Sequence, residues 1–172
     1  FYIEQHEMEH LNHLENLLKN EKCIAIGEIG LDTFLKQHKH PETFRKQKEF
    51  FVAQLELAQH FNKPVLLHIR KAHADTLALL KQQHFKQGGI AHAFSGGVEE
   101  AKALVKLGFK IGVTGQITNP NAKKLHAVVQ EIGVEHLVLE TDCPDMTPLC
   151  CQRSTEQRTR NTPANLPYVL MG

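Results

Sequence analysis

No run of about 18 uninterrupted apolar residues occurs in the 172-residue chain, which excludes an ordinary membrane-spanning helix. No charged-then-apolar leader opens it, so no secretory signal is expected, and the protein is expected to be soluble and cytoplasmic. One-sided charge is also missing: 20 Lys+Arg stand against 19 Asp+Glu, for a net charge of +1. That balance excludes a broad cationic surface for gripping duplex nucleic acid, while leaving room for a local phosphate pocket. The four cysteines contain no C-x-x-C zinc spacing, and a cytosolic setting keeps thiols reduced. Low-complexity tracts and separate linkers are absent.

What is present is alternation. With 41% hydrophobic residues, the chain has enough apolar surface for one domain with a real core, and too little length for two ordinary ones. Leu11, Leu14, Leu17 and Leu18 recur at helical spacing over 6–19. Cys23 to Ile26 is a short apolar run ending at Gly27 and reads as a buried strand. Pro41 to Asn62 reads as a long helix, its proline suited to a first turn. Val65-Leu66-Leu67 reads as strand, Ala72 to Phe85 as helix, and Ile90-Ala91 as strand. Val98 to Leu107 reads as helix with Gly108 as its stop. Phe109 to Val113 reads as strand, Asn119-Pro120 to Ile132 as helix, and Leu137 to Leu139 as the last strand. Residues 145–164 are polar and lose all periodicity. Five strands separated by helices imply a parallel sheet covered by helices.

Four of these strands run into a potential metal ligand: Glu28, His68, His92 and Asp142. In parallel α/β folds the C-terminal strand ends share one face, where active sites sit. The four residues are 40, 24 and 50 positions apart and would still converge there. Two imidazoles and two carboxylates suit Zn or Mn and tolerate Mg, and a carboxylate that bridges allows either one or two ions. Such a set supplies an activated water and needs no Ser or Cys nucleophile. The strand ending at Thr114-Gly115 offers no ligand and leaves room for substrate.

Each residue also has a plainer reading. Most of the 12 histidines are expected at the surface or as satisfied core residues, His38 among them, with His73 a weak outlier after a strand. Glu28 suits an ion pair, and Asp142 before Cys143-Pro144 suits a turn. Four coincidences at one geometric position favour the site. Arg70 suits bidentate phosphate binding and equally a surface ion pair. Ser95, before a helix, suits an anion-binding turn and more simply an N-cap. Asp32 suits orientation of Glu28 or of a water, and also a loop start. Arg153, Arg158 and Arg160 suit substrate phosphates or a solvated loop.

The segments Gly27-Glu28-Ile29-Gly30-Leu31-Asp32, Pro64 to Arg70, His92-Ala93-Phe94-Ser95-Gly96 and Leu139 to Pro144 resemble the signatures of the TatD-type deoxyribonuclease family. Arg160 to Asn165 resembles a later run of the same family. The resemblance covers almost the whole chain and is specific as a set. It implies a metal-dependent hydrolase on an amidohydrolase-like barrel of TIM type. It implies that Glu28 binds or bridges metal, that His68, His92 and Asp142 are ligands, and that Asp142 orients or deprotonates the attacking water. It implies DNA as substrate, single-stranded or at 3′ ends. The family's opening His-x-His pair has no counterpart in that context, since His38-Lys39-His40 lies in a polar stretch, and Ile69 stands where the family often has Ser.

The expectation is therefore α/β: a single truncated (β/α) barrel domain over 1–172, with about five parallel strands, the first strands and last helix missing. Open sheet edges would favour self-association. The function expected is divalent-metal phosphodiester hydrolysis of DNA. The alternatives are an amidohydrolase-like enzyme on a small ester, amide or lactone, and an inactive barrel that only binds a partner.

Overall fold

The computed structural model describes residues 2–154 and 157–172. Phe1, and Thr155 and Glu156 of the predicted polar stretch, lie outside the described residues. The elements alternate as expected: α1 (Glu9–Leu18), β1 (Ile26–Asp32), α2 (Pro41–His60), β2 (Val65–Arg70), α3 (His73–Gln82), β3 (Gly89–His92), α4 (Val98–Lys106), β4 (Phe109–Val113), α5 (Lys123–Ile132), β5 (Leu137–Leu139) and α6 (Leu166–Leu170). The five strands are all parallel and lie in the order β1-β2-β3-β4-β5. A doubly wound sheet reverses its strand order at a switch point; this one never does, which is the arrangement of successive units in a (β/α) barrel.

Strand β1 departs from the expectation. Cys23 closes a turn on the Asn20 carbonyl (3.0 Å), Ile24 is 81% exposed, and the strand runs through Gly27 to Asp32. The Ile26 N–H donates to the Pro64 carbonyl, and after a register shift the ladder resumes with Ile29 opposite Leu67. At Gly30, where φ is +143°, a Cβ would collide with the His68 carbonyl. The glycines of this run mark close strand approach and a bulge, and they do not end the strand. Glu28 and His68 are thus inside strands rather than just past them.

One helix start and one cap differ from the expectation for local reasons. Helix α5 starts at Lys123 because the Asn119 side chain accepts the Asn121 N–H (2.9 Å) and its carbonyl accepts that of Ala122 (2.9 Å), a turn that competes with the helix. Helix α4 is capped by Gly97, whose N–H donates to Glu100 at 2.9 Å; Ser95 is not the N-cap.

The core is built on one face of the sheet. Along β2, Val65, Leu67 and Ile69 are buried while Leu66, His68 and Arg70 are half-buried, the two-residue alternation of a strand. Leu31, Phe51, Leu55, Leu80, Leu104, Phe109 and Ile111 pack with the buried set. Each such side chain contributes about 1.5–3 kcal/mol on burial, enough to hold the strand register that aligns the polar face. A smaller cluster of Val113, Ile117, Leu125 and Val169 joins α5 and α6 to the end of β4.

Candidate active site

Strand register places the first residues of the site. Gly30 pairs with His68, and His68 pairs with His92, so the two imidazoles are lateral neighbours on adjacent strands. They open into a cavity of about 750 Å³ whose lining includes Glu28, Asp32, Arg70 and Asp142.

His68 lies between two carboxylates and His92 among three. His68 turns Nε2 to Asp32 Oδ2 (3.0 Å) and Nδ1 to Glu28 Oε2 (3.7 Å). His92 turns Nδ1 to Glu140 Oε2 (2.6 Å), and Nε2 to Asp142 Oδ1 (3.2 Å) and Glu28 Oε1 (3.8 Å). Glu28 therefore reaches both rings, one with each oxygen.

The carboxylates are held in turn. Asp32 is 2% exposed and accepts the Phe34 N–H at 2.7 Å. Its backbone is gripped by the Gln47 amide, which accepts the Asp32 N–H (2.8 Å) and donates to the Asp32 carbonyl (3.0 Å). Glu140 accepts the Ala93 N–H at 2.5 Å. It fits because residue 112 is glycine: a Cβ on Gly112 would overlap the Glu140 carboxylate.

Asp142 follows β5 in a loop, with φ at +53°. It is a turn residue as well, since its carbonyl accepts the Asp145 N–H at 2.8 Å. Buried Asn161 braces this loop: its side-chain N–H donates to the Thr141 carbonyl (2.8 Å), and its backbone N–H donates to that of Pro144 (2.8 Å).

The electrostatics follow from these pairs. The facing His68 ring lowers the Glu28 carboxyl, and Glu28 in turn raises His68, with Asp32 adding to the effect. His92 is raised to about 9, chiefly by its bond to Glu140. Burial pushes Asp32 up, and its bonds to His68 and the Phe34 amide reverse that to a net lowering. Asp142 is raised, first by burial and then by Glu28, Glu140 and Asp145, although His92 opposes.

The donor chemistry fits a divalent cation pair by pair. Two atoms each about 2.0–2.2 Å from one ion lie roughly 3–3.6 Å apart. The Asp142–His92 separation of 3.2 Å falls in that range, and the Glu28–imidazole separations of 3.7 and 3.8 Å are slightly wider. Among the described residues no three His, Cys, Asp or Glu already close around one point, so pairs are what the structure presents. The outer arrangement is also that of metal-binding histidines, whose second ring nitrogen usually meets a carboxylate.

The remaining expectations divide. Arg70 makes no ion pair among the described residues; its guanidinium lies 4.0 Å from the Phe34 ring centre and lines the cavity. Ser95 also lines the cavity, its hydroxyl 3.4 Å from the Ile69 carbonyl. Thr114 is buried, and neither it nor Gly115 lines the cavity, so this strand end does not provide substrate room there. Arg158 pairs with Asp145 at 2.8 Å, and Arg153 and Arg160 are exposed. His73 stacks edge-on against Phe94, and burial lowers its pKa. His38 corrects the polar-loop reading: it is 1% exposed, with Nδ1 3.6 Å from Asp32 Oδ1. Sequence reasoning missed Glu140 and Gln47 as site residues. A carboxylate two positions before Asp142 was a usable signal for the first, while nothing in the sequence marks Gln47.

Comparison with known proteins gives a consistent answer. A family profile described as "TatD related DNase" matches residues 1–172. The chain is 42% identical over 147 residues to an "Uncharacterized metal-dependent hydrolase" of Haemophilus influenzae, spanning 84% of this chain and 56% of that protein. It is 39% identical over 158 residues to the "3'-5' ssDNA/RNA exonuclease TatD" of Edwardsiella piscicida, spanning 91% and 59% respectively. The crystal structure of YjjV, a TatD homologue of Escherichia coli K12, superposes with a TM-score of 0.86 at 35% identity, covering 99% of this chain and 63% of that one. The chain thus spans somewhat over half the length of these relatives.

Proposed function

Because this chain belongs to the TatD-related DNase family, we propose that it carries the metal centre of a hydrolase that cleaves phosphodiester bonds in DNA. The observation that carries this reading is the pairing of both imidazoles. His68 and His92 each face Glu28 with one nitrogen and a backing carboxylate with the other.

In this reading Glu28, His68, His92 and Asp142 hold one or two divalent ions, Mg, Mn or Zn. When bound, the metal supplies an activated water and polarises a phosphoryl oxygen. Asp32 and Glu140 fix the ring orientations of His68 and His92. Asp142, whose carboxyl is raised above its ordinary value by burial and by neighbouring carboxylates, is placed beside His92 to orient the attacking water or accept its proton. Arg70 and Ser95 line the cavity where a substrate phosphate would lie, and Arg70 needs no rearrangement of an existing ion pair to reach it. The named activity of the Edwardsiella relative favours single-stranded or 3′ ends as substrate. Residues 1–172 belong to one (β/α) barrel hydrolase domain. Strands β1 and β5 each pair on one side only among the described residues, which favours self-association through those edges.

The test is metal content together with cleavage of short single-stranded DNA, on wild type and His92→Ala. Bound metal and cleavage that fall together in the variant support the proposal. Hydrolysis of small esters or amides in place of DNA would move the reading to another amidohydrolase-like reaction. A metal-free, inert wild type would leave a barrel that only binds a partner.

A further inference from the structure

We propose that Phe34, with Arg70 and Lys71 beside it, is a stacking platform for a nucleobase of single-stranded nucleic acid. The inference rests on the nucleic-acid reading above and adds a binding residue to it. Phe34 lies two residues past the end of β1 and is 45% exposed, in a chain where only 6% of residues are aromatic. A singly exposed apolar residue is ordinary on a protein surface. Two features set this one apart.

The first is its cationic company. The Arg70 guanidinium lies 4.0 Å from the ring centre and the Lys71 ammonium 5.0 Å from it. Arg70 also lines the cavity that holds Glu28, His68 and Asp142. Both cations lie over the ring, so a base would stack on the exposed remainder of this aromatic–cation cluster, the combination of π-surface and positive charge that single-strand binders use. It grips bases without reading their identity, because every base has a π-face. It also needs no broad cationic surface, in keeping with a net charge of +1.

The second is its rigid tie to the site. The Phe34 N–H donates to Asp32 Oδ1 at 2.7 Å, and the other oxygen of Asp32 meets His68 at 3.0 Å. Thr33 is fastened to β2 and its exit twice: its N–H donates to the Arg70 carbonyl (2.9 Å) and its hydroxyl to the Lys71 carbonyl (2.8 Å). The backbone that carries the ring is therefore fixed relative to the imidazoles. A base stacked there fixes which phosphate reaches the site.

The test walks a single abasic residue along the last few nucleotides of a labelled single-stranded oligonucleotide. Binding is read by fluorescence anisotropy in chelator, and KM and kcat are read with added Mg or Mn. At one position the loss of the base should weaken wild-type binding and raise KM by about tenfold or more. Phe34→Leu should abolish that discrimination and Phe34→Trp should restore it, because leucine keeps the apolar bulk and loses the π-face. A wild type indifferent to every abasic position overturns the platform, and this holds whether or not the leucine variant folds. A discrimination that survives in Phe34→Leu also overturns it, and leaves DNA hydrolysis standing. A wild type that neither binds nor cleaves any oligonucleotide removes the nucleic-acid reading and the platform with it.

Discussion

The site has two halves that are held in place by different means. His68 and His92 lie on β2 and β3, where ladder register and a buried apolar face set their positions, and Glu28 projects from the bulge of β1 beside them. Glu140 and Asp142 lie beyond β5, where a few hydrogen bonds do the positioning: the Ala93 N–H donates to the Glu140 carboxylate, the Glu140 N–H to the Val113 carbonyl, and Asn161 to the Thr141 and Pro144 carbonyls. The strand half draws on the cooperative packing of the core. The loop half depends on a few polar contacts, any of which one substitution removes. Imidazoles therefore sit on the rigid side, and the residue assigned the proton transfer sits on the adjustable side.

The largest effect expected is from breaking the shared element of both halves. Glu28→Gln, or His92→Ala, should abolish metal retention and lower cleavage beyond the roughly 100-fold ceiling for losing an outer partner. Metal analysis and oligonucleotide kinetics check this, and chelation of wild type should reproduce the loss.

Outer partners should separate the halves. Asp32→Asn and Glu140→Gln should each weaken metal affinity by about 10–100-fold. Buried Asp32 is also gripped through its backbone by Gln47, so its variant should keep His68 in place better than Glu140→Gln keeps His92. Metal titrations followed by calorimetry would measure both, and equal losses would erase the distinction drawn here. Gly112→Ala should mimic Glu140→Gln, because its added carbon takes the space of that carboxylate.

Asn161→Ala should strike the loop half alone. It leaves the Thr141 carbonyl without its donor, at a cost of about 1–3 kcal/mol in unfolding free energy. Urea unfolding and kcat should both fall, while the spectroscopic signature of His68 stays unchanged.

The smallest effect is on the pH dependence of metal-free protein. His92 is raised from 6.5 to about 9, so its contribution to stability is full below about 6.5 and is lost as pH rises through 9. His73, lowered by burial in an apolar setting, works in the opposite direction. Its contribution is present above 6.5 and is lost as pH falls through its depressed value. Urea midpoints against pH, for wild type, His92→Gln and His73→Gln, should show the two slopes disappear separately.

Alternation of βα units, the parallel sheet and the convergence of Glu28, His68, His92 and Asp142 were legible in the order of residues. Apolar runs of strand length divided by helical periods leave few other arrangements. Strands β4 and β5 have the predicted bounds; the one charged residue, Lys110, falls at an exposed alternate position of β4 and does not break the strand. β1 was misplaced because its glycines look like a stop, and their role as points of close approach depends on where β2 lies. The roles of Asp32 and Glu140 are not legible in the sequence for the same reason: each acts on a histidine 36 or 48 positions away. Thus the sequence by itself determined the units and the candidate side chains, since these follow from local pattern and residue chemistry. Only the tertiary structure decided which carboxylate backs which imidazole, how Gln47 and Asn161 brace them, and that Phe34 stands under Arg70. Those are choices of strand register and long-range packing, which local pattern does not encode.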